Sequence, residues 1–150
     1  MGSYARTPAR VPWPRPGAAG RPPNVRRMES SINYVNRKGE RFGKLAVVDI
    51  PAEVAANAPW FNETLTGVND AVVRLGIFEG DFHWHKHDEQ DEFFLVLDGE
   101  FYLDVEGREP VLLRRHQGFT VPKGVVHRPR SPQKSVVLMV EQAGIVPTGD

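Results

Sequence analysis

The sequence predicts an all-β domain, a barrel or sandwich of short strands with one short helical segment near its start. Two observations carry this. Apolar runs only a few residues long recur along the chain, and the segments between them hold turn chemistry: Glu79-Gly80-Asp81, Asp98-Gly99, Glu106-Gly107 and Lys123-Gly124. Many short strands at such spacing suit a barrel or sandwich. The chain of 150 residues fits one domain with a sizeable core.

The elements follow in order. Residues 1–27 carry six arginines, six prolines and no acidic residue. Without a periodic apolar pattern such a segment cannot offset its ordering entropy, so it is expected to be disordered, or to lie ahead of a true start at Met28. Its proline density spoils the amphipathic helix that a transit peptide needs. The domain is therefore placed at 28–150. Leu45–Ile50 is expected as a strand, and Pro51–Ala56 as one or two helical turns stopped by Asn57 and Pro59. Further strands are expected at Ala71–Phe78, Phe82–His87, Glu92–Leu97, Phe101–Val105, Pro110–Leu113, Phe119–Val121, His127–Arg130 and Ser135–Glu141. The run Phe93–Leu97 is apolar on both faces, so one face should line the interior. The other needs a second sheet, the N-terminal segment or a neighbouring subunit to cover it.

Composition removes several function classes. There is no cysteine, hence no disulfide, thiolate nucleophile or zinc-thiolate cluster, and a cytoplasmic location is expected. No apolar run approaches the roughly 20 residues that span a bilayer, and no secretory signal is evident. The formal net charge is zero, but the arginines of 1–27 leave 13 basic against 19 acidic residues in the rest. A mildly acidic body argues against nucleic acid as a partner.

The chemistry gathers around three histidines. His83, His85 and His87 alternate along one expected strand and so point to one face, with Cα atoms about 6.6 Å apart. Two imidazoles at that separation can share one ion at bond lengths of about 2.1 Å. Glu92 begins the next strand and returns towards them, and His127, far along the chain, can complete the set from the opposite side.

These residues carry a family resemblance. His85-x-His87-x4-Glu92-x6-Gly99 resembles the first cupin motif, and Pro122-x-Gly124-x2-His127 resembles the second. A joint chance match is on the order of one in ten thousand or rarer. The similarity is closest to small single-domain cupins of the type-2 conserved-barrel kind, with a Trp-His-x-His-x4-Glu core and an ending like Thr148-Gly149-Asp150. It implies a double-stranded β-helix, or jelly roll, with a metal site of His85, His87, Glu92 and His127, and a homodimer. The chain departs from the family at three places. His116 stands where the second motif usually has glycine, with Gly118 nearby. Ser131 replaces a common asparagine, and Gly80 lies one residue closer to His85 than usual.

Other residues are weighed beside this set. His83 shares the inward face by parity and suits a supporting or pocket-lining role as well as ligation. Asp91 rivals Glu92, but alternation turns only one of them inward, and family spacing favours Glu92. Arg74, within an apolar run, is read first as a buried partner for an acid and second as a clamp for a substrate carboxylate. Phe94 and Val96 share the parity of Glu92 and would line an apolar pocket. His116 is read as a rim turn residue.

Nitrogen and oxygen donors without sulfur suit one divalent transition metal, Mn, Fe, Ni, Co or Zn. Two readings follow. One is a small metalloenzyme, a metal-dependent dioxygenase or isomerase acting on a small carbonyl or carboxylate metabolite. The other is a non-catalytic small-molecule-binding or sensor cupin with a structural metal.

Overall fold

Asp49 caps the one helix among the described residues, α1 (Ile50–Ala56), by accepting from the Ala52 amide at 3.0 Å. Pro51 sits in the first turn, where its missing N–H costs nothing, and the Asn57 side chain donates to the Glu53 carbonyl at 2.8 Å as the helix stops. The computed structural model describes residues 34–150, so the expectations for residues 1–27 and for Met28 fall outside it.

The remaining elements are strands: β1 (Val35–Arg37), β2 (Phe61–Val68), β3 (Ala71–Asp81), β4 (Glu92–Asp98), β5 (Glu100–Val105), β6 (Val111–Arg114), β7 (Gly118–Val121) and β8 (His127–Gln142). They pair in the order β1-β2-β3-β8-β4-β7, with β6-β5 branching from β8. All pairs are antiparallel except β1 with β2. The second half of β8 lies between β3 and β4, while its first four residues pair with β5. One strand thus joins both parts of the barrel.

Two apolar clusters follow from the pleat. Side chains at alternate positions of β3, β4, β5 and β8 fill the interior, among them Phe78, Phe94, Val96, Phe101, Val137 and Met139. On the opposite face of β2 and β3, Phe61, Leu65, Leu75 and Ile77 are covered by Val54 of α1 and by Phe42, Val48 and Ile50. Leu97 joins this second cluster, so part of the outer face of β4 is covered within the chain itself.

Three expectations are corrected. Leu45–Ile50 forms no strand: Leu45 takes a φ of 64° and its side chain is exposed, leaving Val48 to pack from the loop and Ile50 from the first position of α1. Phe82–His87 is an irregular link in which only His85 pairs, bridging to His127. The two expected strands at His127–Arg130 and Ser135–Glu141 are one, β8. The departures in the glycine pattern also find their reason. His116 itself takes the left-handed φ of 67°, the conformation in which glycine is least strained, so Gly118 does not stand in for it. Gly80 takes a φ of 108° at a register shift between Phe78 and Gly80, a conformation in which glycine is least strained.

Candidate metal centre

His85 and His127 are pinned opposite each other by the backbone. Each amide donates to the other's carbonyl, at 3.0 Å from His85 and 2.8 Å from His127, and the imidazole centroids lie 4.4 Å apart. Both rings are oriented in the same way. The His85 Nδ1–H donates to the His83 carbonyl at 3.1 Å, and the His127 Nδ1–H to the Val125 carbonyl at 3.0 Å. Since a carbonyl only accepts, Nδ1 carries the proton in each ring, and the Nε2 lone pair is left for another partner.

The other two members come from the same link and from the start of β4. His87, two residues beyond His85, returns to the same side, and its carbonyl accepts from Gly124 at 2.6 Å. Glu92 is the first residue of β4, paired with Val121 on one side and Glu141 on the other. Its Oε2 lies 3.3 Å from His127 Nε2 and 3.4 Å from His87 Nε2. The ligand atoms of His85, His87, Glu92 and His127 all lie within 4.8 Å of one another, and all four residues are buried.

Electrostatics favours the metal-ready protonation states. Burial, reinforced by the neighbouring His127, brings the His85 imidazole down to about 4, so it is neutral at physiological pH. Burial alone would raise the Glu92 carboxyl, but positive charge at the Nε2 atoms of His127 and His87, 3.3 and 3.4 Å away, more than reverses this and brings it to about 2; a cation at that point would take the place of the two protons. Three imidazoles and a carboxylate therefore face one point.

This arrangement fits a metal ion on an observation of its own. Both ring nitrogens of His87 are buried without a hydrogen-bond partner. A buried polar atom left unpaired costs about 1–3 kcal/mol, and a bound cation would accept the lone pair. Separations of 3.3 and 3.4 Å between donors also match the edges of about 3.0–3.4 Å that ligands make around an ion at 2.1 Å.

The remaining residues fall into place around the cluster. The His83 ring is exposed and bonds the Thr148 carbonyl at 2.8 Å; it does not share the inward face, and its backbone carbonyl is what supports His85. Asp91 is also turned outward, accepting from the Lys123 amide at 2.9 Å. Phe94 is buried with its ring centroid 6.3 Å from that of His127, and Val96 lies deeper in the core. Arg74 is buried and paired with an acid, its Nε 3.2 Å from Glu141 Oε1. Its guanidinium also donates to Asn62 at 2.7 Å, Thr64 at 3.0 Å and Asn36 at 2.6 Å, which leaves little capacity for a substrate carboxylate.

Sequence reasoning missed Glu141, Asn62 and Tyr34. Glu141 was open to discovery, because it shares the inward parity of Val137 and Met139 at the end of an apolar run. Burial and the nearby Glu92 outweigh Arg74 and push its carboxyl up to about 8. Tyr34 and Asn62 line a recess of about 20 Å³ together with His85 and Glu92.

Comparison with known proteins agrees with this picture. The family described as the cupin domain matches residues 72–141, which include all four members of the cluster. The chain is 42% identical over 80 residues to the uncharacterized protein YdbB of Bacillus subtilis (strain 168), covering 53% of this chain and 71% of that one. Among solved structures, a cupin-2 domain containing protein from Shewanella frigidimarina is similar at a TM-score of 0.61 and 26% identity, covering 64% of this chain and 94% of the other. Protein NMB1881 from Neisseria meningitidis shares the fold at a TM-score of 0.58 and 24% identity, over 65% and 99% of the two chains. The barrel is thus the jelly roll that the family resemblance implied, and the chain belongs to the cupin superfamily, in its type-2 branch.

Proposed function

We propose that His85, His87, Glu92 and His127 hold one divalent transition metal, and that the protein is a small metalloenzyme acting on a small carbonyl or carboxylate metabolite by dioxygenase- or isomerase-type chemistry. The observation that carries the metal is His87, a buried imidazole with two unpartnered nitrogens beside a carboxylate held ionised. The donor set, nitrogen and oxygen without sulfur, suits Mn, Fe, Co, Ni or Zn. When bound, such an ion supplies Lewis acidity towards developing oxyanion charge.

The chain's own residues contribute the rest. The Nδ1 bonds to His83 and Val125 fix two imidazoles before any ion arrives, so little ordering remains to be done on binding. Phe78, Phe94 and Met139 line the recess beside the cluster with apolar surface. A second reading, a sensor with a structural metal, is favoured by the size of the recess, whose 20 Å³ holds about one water-sized group. The expected homodimer belongs to the proposal as well: Phe93 and Leu95 are half-buried and Val140 is 39% exposed on the outer face of β4 and β8.

Elemental analysis of the purified protein tests the metal, with about one equivalent expected. The double variant His85→Ala/His127→Ala should lose it. Stoichiometric metal in that folded variant would refute the site. Oxygen uptake with 1,3-dicarbonyls and catechols, and isomerisation of enolisable carbonyl compounds, then separate enzyme from sensor. Tight ligand binding without turnover under any metal selects the sensor.

A further inference from the structure

The polar network behind the metal cluster has a direction, and it can be followed atom by atom. An arginine only donates. Arg74 Nε donates to Asn62 Oδ1 at 2.7 Å, so the oxygen of that amide is committed. The Asn62 nitrogen, which also only donates, then faces the Tyr34 hydroxyl at 2.9 Å. Tyr34 oxygen is therefore the acceptor in that bond, and its single proton is not used there. Turning the amide over would set its NH2 against the guanidinium, whose Nη1 and Nη2 are themselves held by Thr64 and Asn36.

The phenol proton has a place to go. Tyr34 lines the same recess as His85 and Glu92, and Phe78, Phe82, Phe94 and Met139, which face it, offer no strong acceptor from their side chains. The Phe82 ring lies edge-on to Tyr34 at 5.7 Å and holds the phenol in position. Burial raises the Tyr34 pKa above 10.0, so the donor stays protonated at neutral pH.

We propose that Tyr34 is the ligand-contacting donor of this site, giving its hydrogen bond to the anionic oxygen that a small carboxylate or enolate inserts into the recess beside His85 and Glu92, with Asn62 and Arg74 as positioning residues. This rests on the metal reading and adds to it a substrate class, a small oxyanion, and a residue that recognises it.

The test uses the full chain loaded with Co(II) and titrated with formate, the smallest carboxylate, with visible absorption as the readout. Wild-type protein should take up about one cobalt and bind formate. Tyr34→Phe should keep the cobalt and bind formate about tenfold more weakly, as expected for losing a hydrogen bond to a charged group. Asn62→Asp presents Tyr34 with an acceptor and draws the proton away from the recess. It should weaken formate binding too, and Tyr34→Phe/Asn62→Asp should be no worse than Asn62→Asp alone. Failure to take up cobalt would overturn the metal reading and this inference with it. Stoichiometric cobalt without formate binding, or with formate affinity unchanged in Tyr34→Phe, would overturn the inference alone. A double variant weaker than Asn62→Asp by the full Tyr34→Phe factor would remove Asn62 as a positioning residue.

Discussion

Glu141 stands opposite Glu92 across the β4–β8 pair, and the two carboxyls share a buried site with Arg74. Two carboxylates so placed resist ionising together, and here the environment divides them: Glu92 is held ionised by two histidines, while Glu141 is pushed up to about 8 by burial and by Glu92. A folded-state value above the unfolded one means that the metal-free native state retains a proton that the unfolded chain releases. Its contribution to stability is fully present below about 4.5 and is lost as pH rises towards 8. Glu141→Gln keeps the shape of the protonated acid without the titration. Metal-free Glu141→Gln should therefore gain stability relative to wild type as pH rises from 5 to 8, measured by urea unfolding at both values. An unchanged difference would show that Glu141 ionises normally in the fold. At this scale the sequence was legible where one side chain's parity and spacing told its direction, as for His85, His87 and Glu92. It was silent on Tyr34 and Asn62, whose roles come from partners 28 and 12 residues away.

The strands show the same limit at the next scale. β4, β5, β6 and β7 were legible because apolar alternation and glycine turns marked their ends. β2 was not, because Asn62, Glu63 and Thr64 are all buried, and a strand with buried polar residues on both faces shows no alternation. Phe82–His87 alternates like a strand, but only His85 forms a β-bridge, and the other backbone bonds of the link go to scattered partners such as Pro129, Gly124 and Asp150. The segment after β8 closes over this link. Ile145 and Pro147 are buried, Asp150 N donates to the Lys86 carbonyl at 3.0 Å, and the Asp88 amide donates to Asp150 Oδ2 at 2.7 Å. Gly149 makes that approach feasible: it takes a φ of 85°, and a Cβ there would lie 2.6 Å from His85 Cβ and 3.0 Å from the Lys86 carbonyl. Gly149→Ala must therefore lift residues 148–150 away from His85. Amide exchange at Asp88 and Asp150 should accelerate, with global stability falling by about 1 kcal/mol or more. Wild-type exchange at both amides would show that the segment does not depend on the glycine.

For the whole molecule, the candidate metal site ties together segments that the chain order keeps apart. His85 and His87 lie on the link between β3 and β4, Glu92 begins β4, and His127, 35 residues beyond it, begins β8. β8 in turn pairs with β3, β4 and β5, so the strand that carries His127 cannot unfold without parting most of the barrel. An ion held by all four side chains binds the folded barrel and not the open chain, where the donors are dispersed. Binding should then stabilise global unfolding and not merely quiet the link. With free Zn(II) held at 100 times its dissociation constant, the unfolding free energy should rise by about 2.7 kcal/mol, with the urea m-value unchanged. His127→Ala should lose most of that gain, because its removal releases β8 from the ion. A wild-type midpoint that zinc leaves unmoved, under conditions where zinc is shown to be bound, would mean that the cluster can open without the barrel unfolding.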